Sequence, residues 1–435
     1  MDRPKNLLDR IGLSRPEVRA WAMYDWANSA FATTIITAIF PVYFTSVAGA
    51  GLPPGEATRL LARTTTIALA ISALLAPFFG ALADYVPIKK RLLGVFTAIG
   101  CVAAGCLMLV GRGDWLLAAV LFGIGNVGFT ASLTFYDSLL PHIARPHEID
   151  RVSTAGFAFG YLGGGLLLAL NVAWILSPAT FGLRDAGQAS RLSFLSVAVW
   201  WIVFSVPLFR RVAEPKARVS SAVRATSDLM RASFFGLLQT LRDLRRYKHA
   251  LLLLIAFVIY SDGINTIIRM ATSYGTDLGL DQGALITAIL LVQFAGIPFA
   301  FLFGLLAGRI GAKASIFITL AVYSLITVMG YSMKTERDFY VLALMVAMVQ
   351  GGSQALSRSL FASMIPRERS AEFFGFFSIF EKFGAIAGPA AFEMASRATG
   401  SSRGAILSVM VFFVAGAIVL AFVDVAKGQA AVRQG

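Results

Sequence analysis

Residues 80–91 read GALADYVPIKKR, and residues 304–313 read GLLAGRIGAK. Each is a short, basic break between two long apolar runs, and the second starts 224 residues after the first (80 to 304). Two further pairs hold a similar offset. Asp25-Trp26-Ala27-Asn28 sits in YDWANSAF (24–31) and Asp262-Gly263-Ile264-Asn265 in YSDGINTI (260–267), both an Asp-x-x-Asn within an apolar run. Asp137-Ser138-Leu139-Leu140 answers to Arg358-Ser359-Leu360-Phe361, and each is followed by a short loop and a glycine-rich run. Three matches in register predict a duplicated architecture.

Composition says what is duplicated. Of 435 residues, 57% are hydrophobic and 14% charged, with a mean hydropathy of +0.73. Soluble domains carry about 25% charged residues, and this chain has too few polar residues to cover two or three soluble domains. The same numbers exclude a disordered chain. Twelve runs meet the ~20 apolar residues that a membrane span needs, from 21–47 through 371–395 to 404–424. None alternates like the strands of a membrane barrel. The expected fold is all-α integral membrane, with twelve transmembrane helices in two pseudo-symmetric six-helix bundles. The expected division is an N-terminal half 1–209, a cytoplasmic linker 210–248 and a C-terminal half 249–435. Within the linker, Phe234, Phe235, Leu237, Leu238, Leu241 and Leu244 have helical spacing, with Arg231, Arg242, Arg245 and Arg246 beside them. They predict an amphipathic helix, lying on the membrane or in solvent.

With the N-terminus cytoplasmic, 26 of the 38 Lys and Arg fall in cytoplasmic segments, nine in external ones and three within spans. This positive-inside pattern predicts both termini in the cytoplasm. The net charge of +14 is then a topology signal, and no nucleic-acid partner is expected. The polar N-terminus and long first run do not read as a cleavable signal peptide. Cys101 and Cys106 share one apolar run and read as packing residues, with no disulfide framework or metal-ligand spacing. The segment 308–313 lacks the spacing of a phosphate-binding loop, so an ATPase is not expected, nor is any other enzyme or cofactor.

GALADYVPIKKR resembles the loop signature of the major facilitator superfamily: Gly80, Asp84 and the basic Lys89, Lys90 and Arg91 match, while Tyr85 and Pro87 replace the usual arginine and glycine. YDWANSAFATT (24–34), YSDGINTII (260–268), GGSQALSRSLFASMIP (351–366) and AEFFGFFSIFEKFGAIAGP (371–389) are similar to the vacuole-effluxer branch, the fungal autophagy-related amino-acid effluxers and their bacterial relatives. The resemblance implies a secondary transporter, expected in a bacterial inner membrane and as a monomer. It would work by alternating access, with neutral amino-acid export as the best-known activity. It also implies that Asp84 with Lys89, Lys90 and Arg91 forms a gating latch. Gly308 replaces the corresponding aspartate of the second half, so that gate is expected to be asymmetric.

Ionisable groups inside a membrane are expensive and hence candidates for function. Asp262, Asn265 and Arg269 share one helix face. A carboxylate for an ammonium or proton, with a guanidinium for a carboxylate, would suit a zwitterion. Asp25 and Asn28 are their first-half counterparts, or else a helix lock near the inner end. Gln354 and Arg358 share a face of the tenth span, where Arg358 either binds solute or pairs with Asp137 or Glu381. Adjacent Glu381 and Lys382 point to different neighbours. Glu381 and Asp262 are the best candidates for a coupling proton. Gly156, Gly160 and Gly164 at four-residue spacing predict close helix packing. The expected partners are therefore a small-molecule substrate, the bilayer and a proton. Drug or lipid efflux, and a non-transporting scaffold or sensor, remain the alternative readings.

Overall fold

Backbone polar groups in lipid must be satisfied within their own segment, and among the described residues every regular element is helical. The structure, a computed structural model, describes residues 7–53, 55–216, 246–277, 282–384, 387–399 and 402–434. The helices are α1 Pro16–Ala48, α2 Glu56–Tyr85, α3 Lys89–Leu109, α4 Trp115–Ile143, α5 Ile149–Leu176 and α6 Ala186–Arg211. After the linker come α7 Lys248–Asp277, α8 Gln282–Ile310, α9 Ala312–Ser332, α10 Glu336–Ser363, α11 Ser370–Gly384 and α12 Ala387–Thr399. The last two are α13 Gly404–Ala421 and α14 Val425–Gln434. Eleven of them are long and apolar enough to cross a membrane, among the described residues. The predicted span 371–395 is not one of these: its described helices are α11 Ser370–Gly384 and α12 Ala387–Thr399, each too short to cross alone. The predicted amphipathic helix of the linker lies outside the described residues.

Local chemistry sets the helix ends. Asp185 accepts the Gln188 N–H at 2.7 Å to start α6. Thr335 and Asp338 exchange side-chain and backbone hydrogen bonds in a capping box that starts α10. At the opposite ends a lysine serves twice: Lys90 Nζ donates to the Phe209 and Val212 carbonyls closing α6, and Lys313 Nζ donates to the Ala421 and Val423 carbonyls closing α13. The two lysines hold equivalent places after α2 and α8, so the duplication read from the sequence extends to a shared capping device. α1 is irregular, turning π-helical over Phe31–Ala38 and again over Phe44–Ala48, a distortion frequent at functional sites.

The first six helices pack with α1 against α5 and α6, α2 against α4, and α3 against α4 and α6. In the second set α7 packs on α13, α8 on α10, and α9 on α10 and α13. Glycines set the closest approaches. A Cβ on Gly156 would lie 2.6 Å from Asp25 Oδ2, one on Gly160 2.6 Å from Ser29 Oγ, and one on Gly164 3.0 Å from the Ser29 carbonyl oxygen. The stripe predicted in the fifth span therefore faces α1. Outward faces are apolar, with Leu74 77% exposed and Val411, Leu109 and Phe422 nearly as bare, as contact with lipid requires. The two sets meet through α2 with α11, α5 with α8 and α10, and α4 with α11.

Candidate functional site

Between the two sets lies a cavity of about 1000 Å³. Its lining runs from Asp25, Asp137 and Arg358 to Leu61, Met333 and Phe339 toward the other end of the helices. Five charged residues line it, Asp25, Asp137, Glu381, Arg269 and Arg358, leaving one negative charge in excess among the described residues when all are ionised.

At one end of the cavity Arg358, only 5% exposed, is engaged on all three nitrogens. Nη1 meets Asp137 at 2.9 Å and Asp25 at 3.5 Å. Nε donates to Ser153 Oγ and Nη2 to the Ser153 carbonyl, both at 2.9 Å. Tyr136 donates its hydroxyl to Asp25 Oδ2 at 2.7 Å. The guanidinium lies over the rings of Phe157 (4.5 Å) and Trp21 (4.9 Å), and Trp21 stacks on Tyr136. One side chain of α10 thereby ties α1, α4 and α5 together. The partners Asp137 and Arg358 are also the repeat-equivalent pair, so the salt bridge joins corresponding points of the two sets. Arg358 is paired with Asp137, and Asp25 touches both Arg358 and Tyr136. The carboxylates holding Arg358 are Asp137 and Asp25, whereas Glu381 lines the cavity.

Asp262 is not among the residues that line the cavity. It is 2% exposed, and its Oδ2 accepts the N–H of Gly388 at 2.7 Å, at the start of α12. Asn265 and Arg269 line the cavity. Asp262 is thus buried against α12, while the two residues that share its helix face reach the cavity. Asp25 and Asp262 do have equivalent neighbours, since a Cβ on Gly388 would lie 2.8 Å from Asp262 Oδ1 just as one on Gly156 would meet Asp25. Asn28 and Gln354 line the cavity as well. The side chain of Lys382 lies outside the described residues.

Beyond the charged cluster a second group of polar contacts ties the two sets together. Asp84, at the end of α2, accepts the N–H groups of Glu372 (2.8 Å) and Ala371 (3.3 Å) at the start of α11, where the helix dipole favours an anion. Lys89 pairs with Asp84 at 2.7 Å and donates to Ser370 Oγ at 2.8 Å. Ser370 in turn donates to the Ser138 carbonyl at 2.9 Å, with His142 Nε2 3.2 Å away. The close approach requires Gly80, whose Cβ would lie 2.9 Å from the Ala371 carbonyl carbon. Of the four residues read as a gating latch, Asp84 and Lys89 make this contact, Lys90 caps α6, and Arg91 is exposed. At the equivalent contact of α8 with α5, Gly308 faces Arg151 instead. Asymmetry of the two contacts follows.

Sequence reading gave no site role to Tyr136, Ser153, His142 and Ser370: until the helices pack, the first two look like ordinary span residues and the other two fall in short loops. Among the described residues no group of three His, Cys, Asp or Glu is placed to hold a metal ion.

Comparison with known proteins places the chain in a family. The family described as "Vacuole effluxer Atg22 like" matches residues 57–433. The MFS-type transporter YxiO of Bacillus subtilis is 35% identical over 406 residues, covering 93% of this chain and 94% of that one. Autophagy-related protein 22-1 of Penicillium rubens is 23% identical, over 84% of this chain and 75% of its own. Among solved structures, the major facilitator superfamily transporter FucP in its outward conformation superposes with a TM-score of 0.71, covering 95% of this chain and 99% of that chain. The proton:xylose symporter XylE gives 0.68, covering 97% and 96%. Both are 13% identical and speak for the fold alone. The chain belongs to the vacuole effluxer Atg22-like family of major facilitator transporters: it is a multi-pass membrane transporter of small molecules and not an enzyme.

Proposed function

We propose that the protein moves neutral amino acids, or similar zwitterions, by alternating access, in the export direction and coupled to a proton. The carrying observation is the difference between the two cavity arginines. Arg358 is engaged on all three nitrogens, whereas Arg269 is exposed at the cavity and suits a solute carboxylate, with Asn265 one turn away. The surplus negative charge favours an ammonium group deeper in the cavity. One proton on Asp25, Asp137 or Glu381 makes the lining electroneutral, and a zwitterion then adds no net charge. Asp262 serves to hold the start of α12. With both termini cytoplasmic in a bacterial inner membrane, the latch closes the cytoplasmic end and the cavity faces outward. The two six-helix halves, 1–209 and 249–435, would rock about it.

The test is counterflow and pH-jump uptake of labelled alanine and leucine in proteoliposomes. Transport driven by a pH gradient and lost in Arg269→Ala is the expected result. Unchanged transport in Arg269→Ala refutes the carboxylate role, and transport indifferent to the gradient refutes the coupling. A second reading, efflux of a larger amphiphile, draws on the cavity volume of about 1000 Å³ and on apolar lining such as Ile36, Leu69 and Phe122. Displacement of the labelled amino acid by lipophilic cations would favour it.

A further inference from the structure

Buried polar atoms without hydrogen-bond partners are rare, and each calls for an explanation. Four of them line the cavity: Asn28 Nδ2, Thr134 Oγ1, Tyr161 OH and Gln350 Oε1. None is charged, and none belongs to the arginine–aspartate cluster.

Tyr161 and Gln350 stand on α5 and α10, helices of the two sets that pack directly on each other. Tyr161 is 7% exposed and reaches from α5 to the second set. A Cβ on Gly296 of α8 would lie 3.2 Å from its ring, and one on Gly351 of α10 2.8 Å from its Cε2. The ring is thus wedged against two glycines and cannot swing to another partner, and Gly351 is the chain neighbour of Gln350. Along α10, Gln350, Gln354 and Arg358 recur every four residues and all line the cavity, so the Tyr161–Gln350 pair stands two turns from the salt bridge, roughly 12 Å along the helix. Arg269 stands at a similar depth. The Tyr260–Ser357 hydrogen bond joins α7 to α10. Counting from it toward the same end, Gln350 is about 11 Å and Arg269 about 14 Å away at 1.5 Å per residue. A hydroxyl donor and an amide carbonyl acceptor lining one cavity match a group that both accepts and donates.

We propose that Tyr161 and Gln350 form an uncharged subsite for the side-chain carboxamide of the solute, so that amide-bearing amino acids are preferred over aliphatic ones of the same length. The inference rests on the amino-acid reading above and adds to it which side chain is selected. A site with buried polar groups rejects an analogue that leaves them unpaired, so the expected preference for glutamine over norleucine is about ten- to a hundredfold.

The test is equilibrium binding of L-glutamine and L-norleucine to the purified full chain in nanodiscs, for the wild type, Tyr161→Phe and Gln350→Leu. Tighter glutamine binding in the wild type, reduced toward the norleucine value in both variants while norleucine affinity is unchanged, supports the subsite. Norleucine binding also reports that each variant is folded. Equal affinities in the wild type overturn the subsite and leave the amino-acid reading standing, as does a glutamine advantage that survives both substitutions. Failure of both ligands to bind the wild type overturns the two together.

Discussion

Replacing Asp84 by asparagine should open the latched end. The carboxylate is 2% exposed and Lys89 3%, and the pair is made at 2.7 Å. Asparagine keeps the shape but removes the charge that Lys89 and the start of α11 both face. Removing one partner of a buried pair costs about 3–5 kcal/mol. Part is recovered, because Lys89 keeps Ser370 at 2.8 Å and the amide oxygen still accepts a backbone N–H. Even 3 kcal/mol is more than a hundredfold in an equilibrium constant, at about 1.4 kcal/mol per factor of ten. The cost falls on the latched state, since parting α2 from α11 lets water reach the lysine. Arg91 and Glu368 are exposed on either side of the contact. Spin labels at Arg91→Cys and Glu368→Cys, with Cys101 and Cys106 replaced, report the separation by pulsed dipolar spectroscopy. The wild type should populate mainly a short distance, and Asp84→Asn a longer one. An unchanged distribution in Asp84→Asn would refute the assignment of Asp84 as the latch.

Other substitutions probe the rest of the interface. Arg358→Met strands Asp137 and Asp25 and should lower stability by about 3–5 kcal/mol; adding Asp137→Leu should restore part of it in chemical unfolding, and a strictly additive double mutant would argue against the pair. Gly156→Leu forces a side chain onto Asp25 and Trp21, where a Cβ alone would lie 2.6 Å and 2.9 Å away. Overpacking of about 1–3 kcal/mol should appear as a lower thermal midpoint, and an unchanged midpoint would show that α5 is free to shift. Lys90→Met removes the cap of α6 but not the latch, so it should reduce stability slightly and leave the Arg91–Glu368 distance distribution as in the wild type.

The sequence by itself determined the all-helical membrane architecture and the duplication. Hydropathy is a local property, and a segment placed in lipid has to satisfy its own backbone, so the spans needed no tertiary information. The glycine stripe of the fifth span was legible for the same reason, since four-residue spacing already names one helix face. Pairing was not. Arg358 was a candidate with two open roles until packing placed Asp137, Asp25 and Ser153 around it from three other helices. The spacing of Asp262, Asn265 and Arg269 put them on one face, but the arrival of α12 at Gly388 buried the aspartate and left the other two at the cavity. Lys89 and Lys90 are neighbours in sequence and equal in chemistry, yet one closes the latch and the other caps α6. Charge and spacing along one chain fix which groups are expensive to bury; which partner offsets that cost depends on helices hundreds of residues away, and only the tertiary structure decides it.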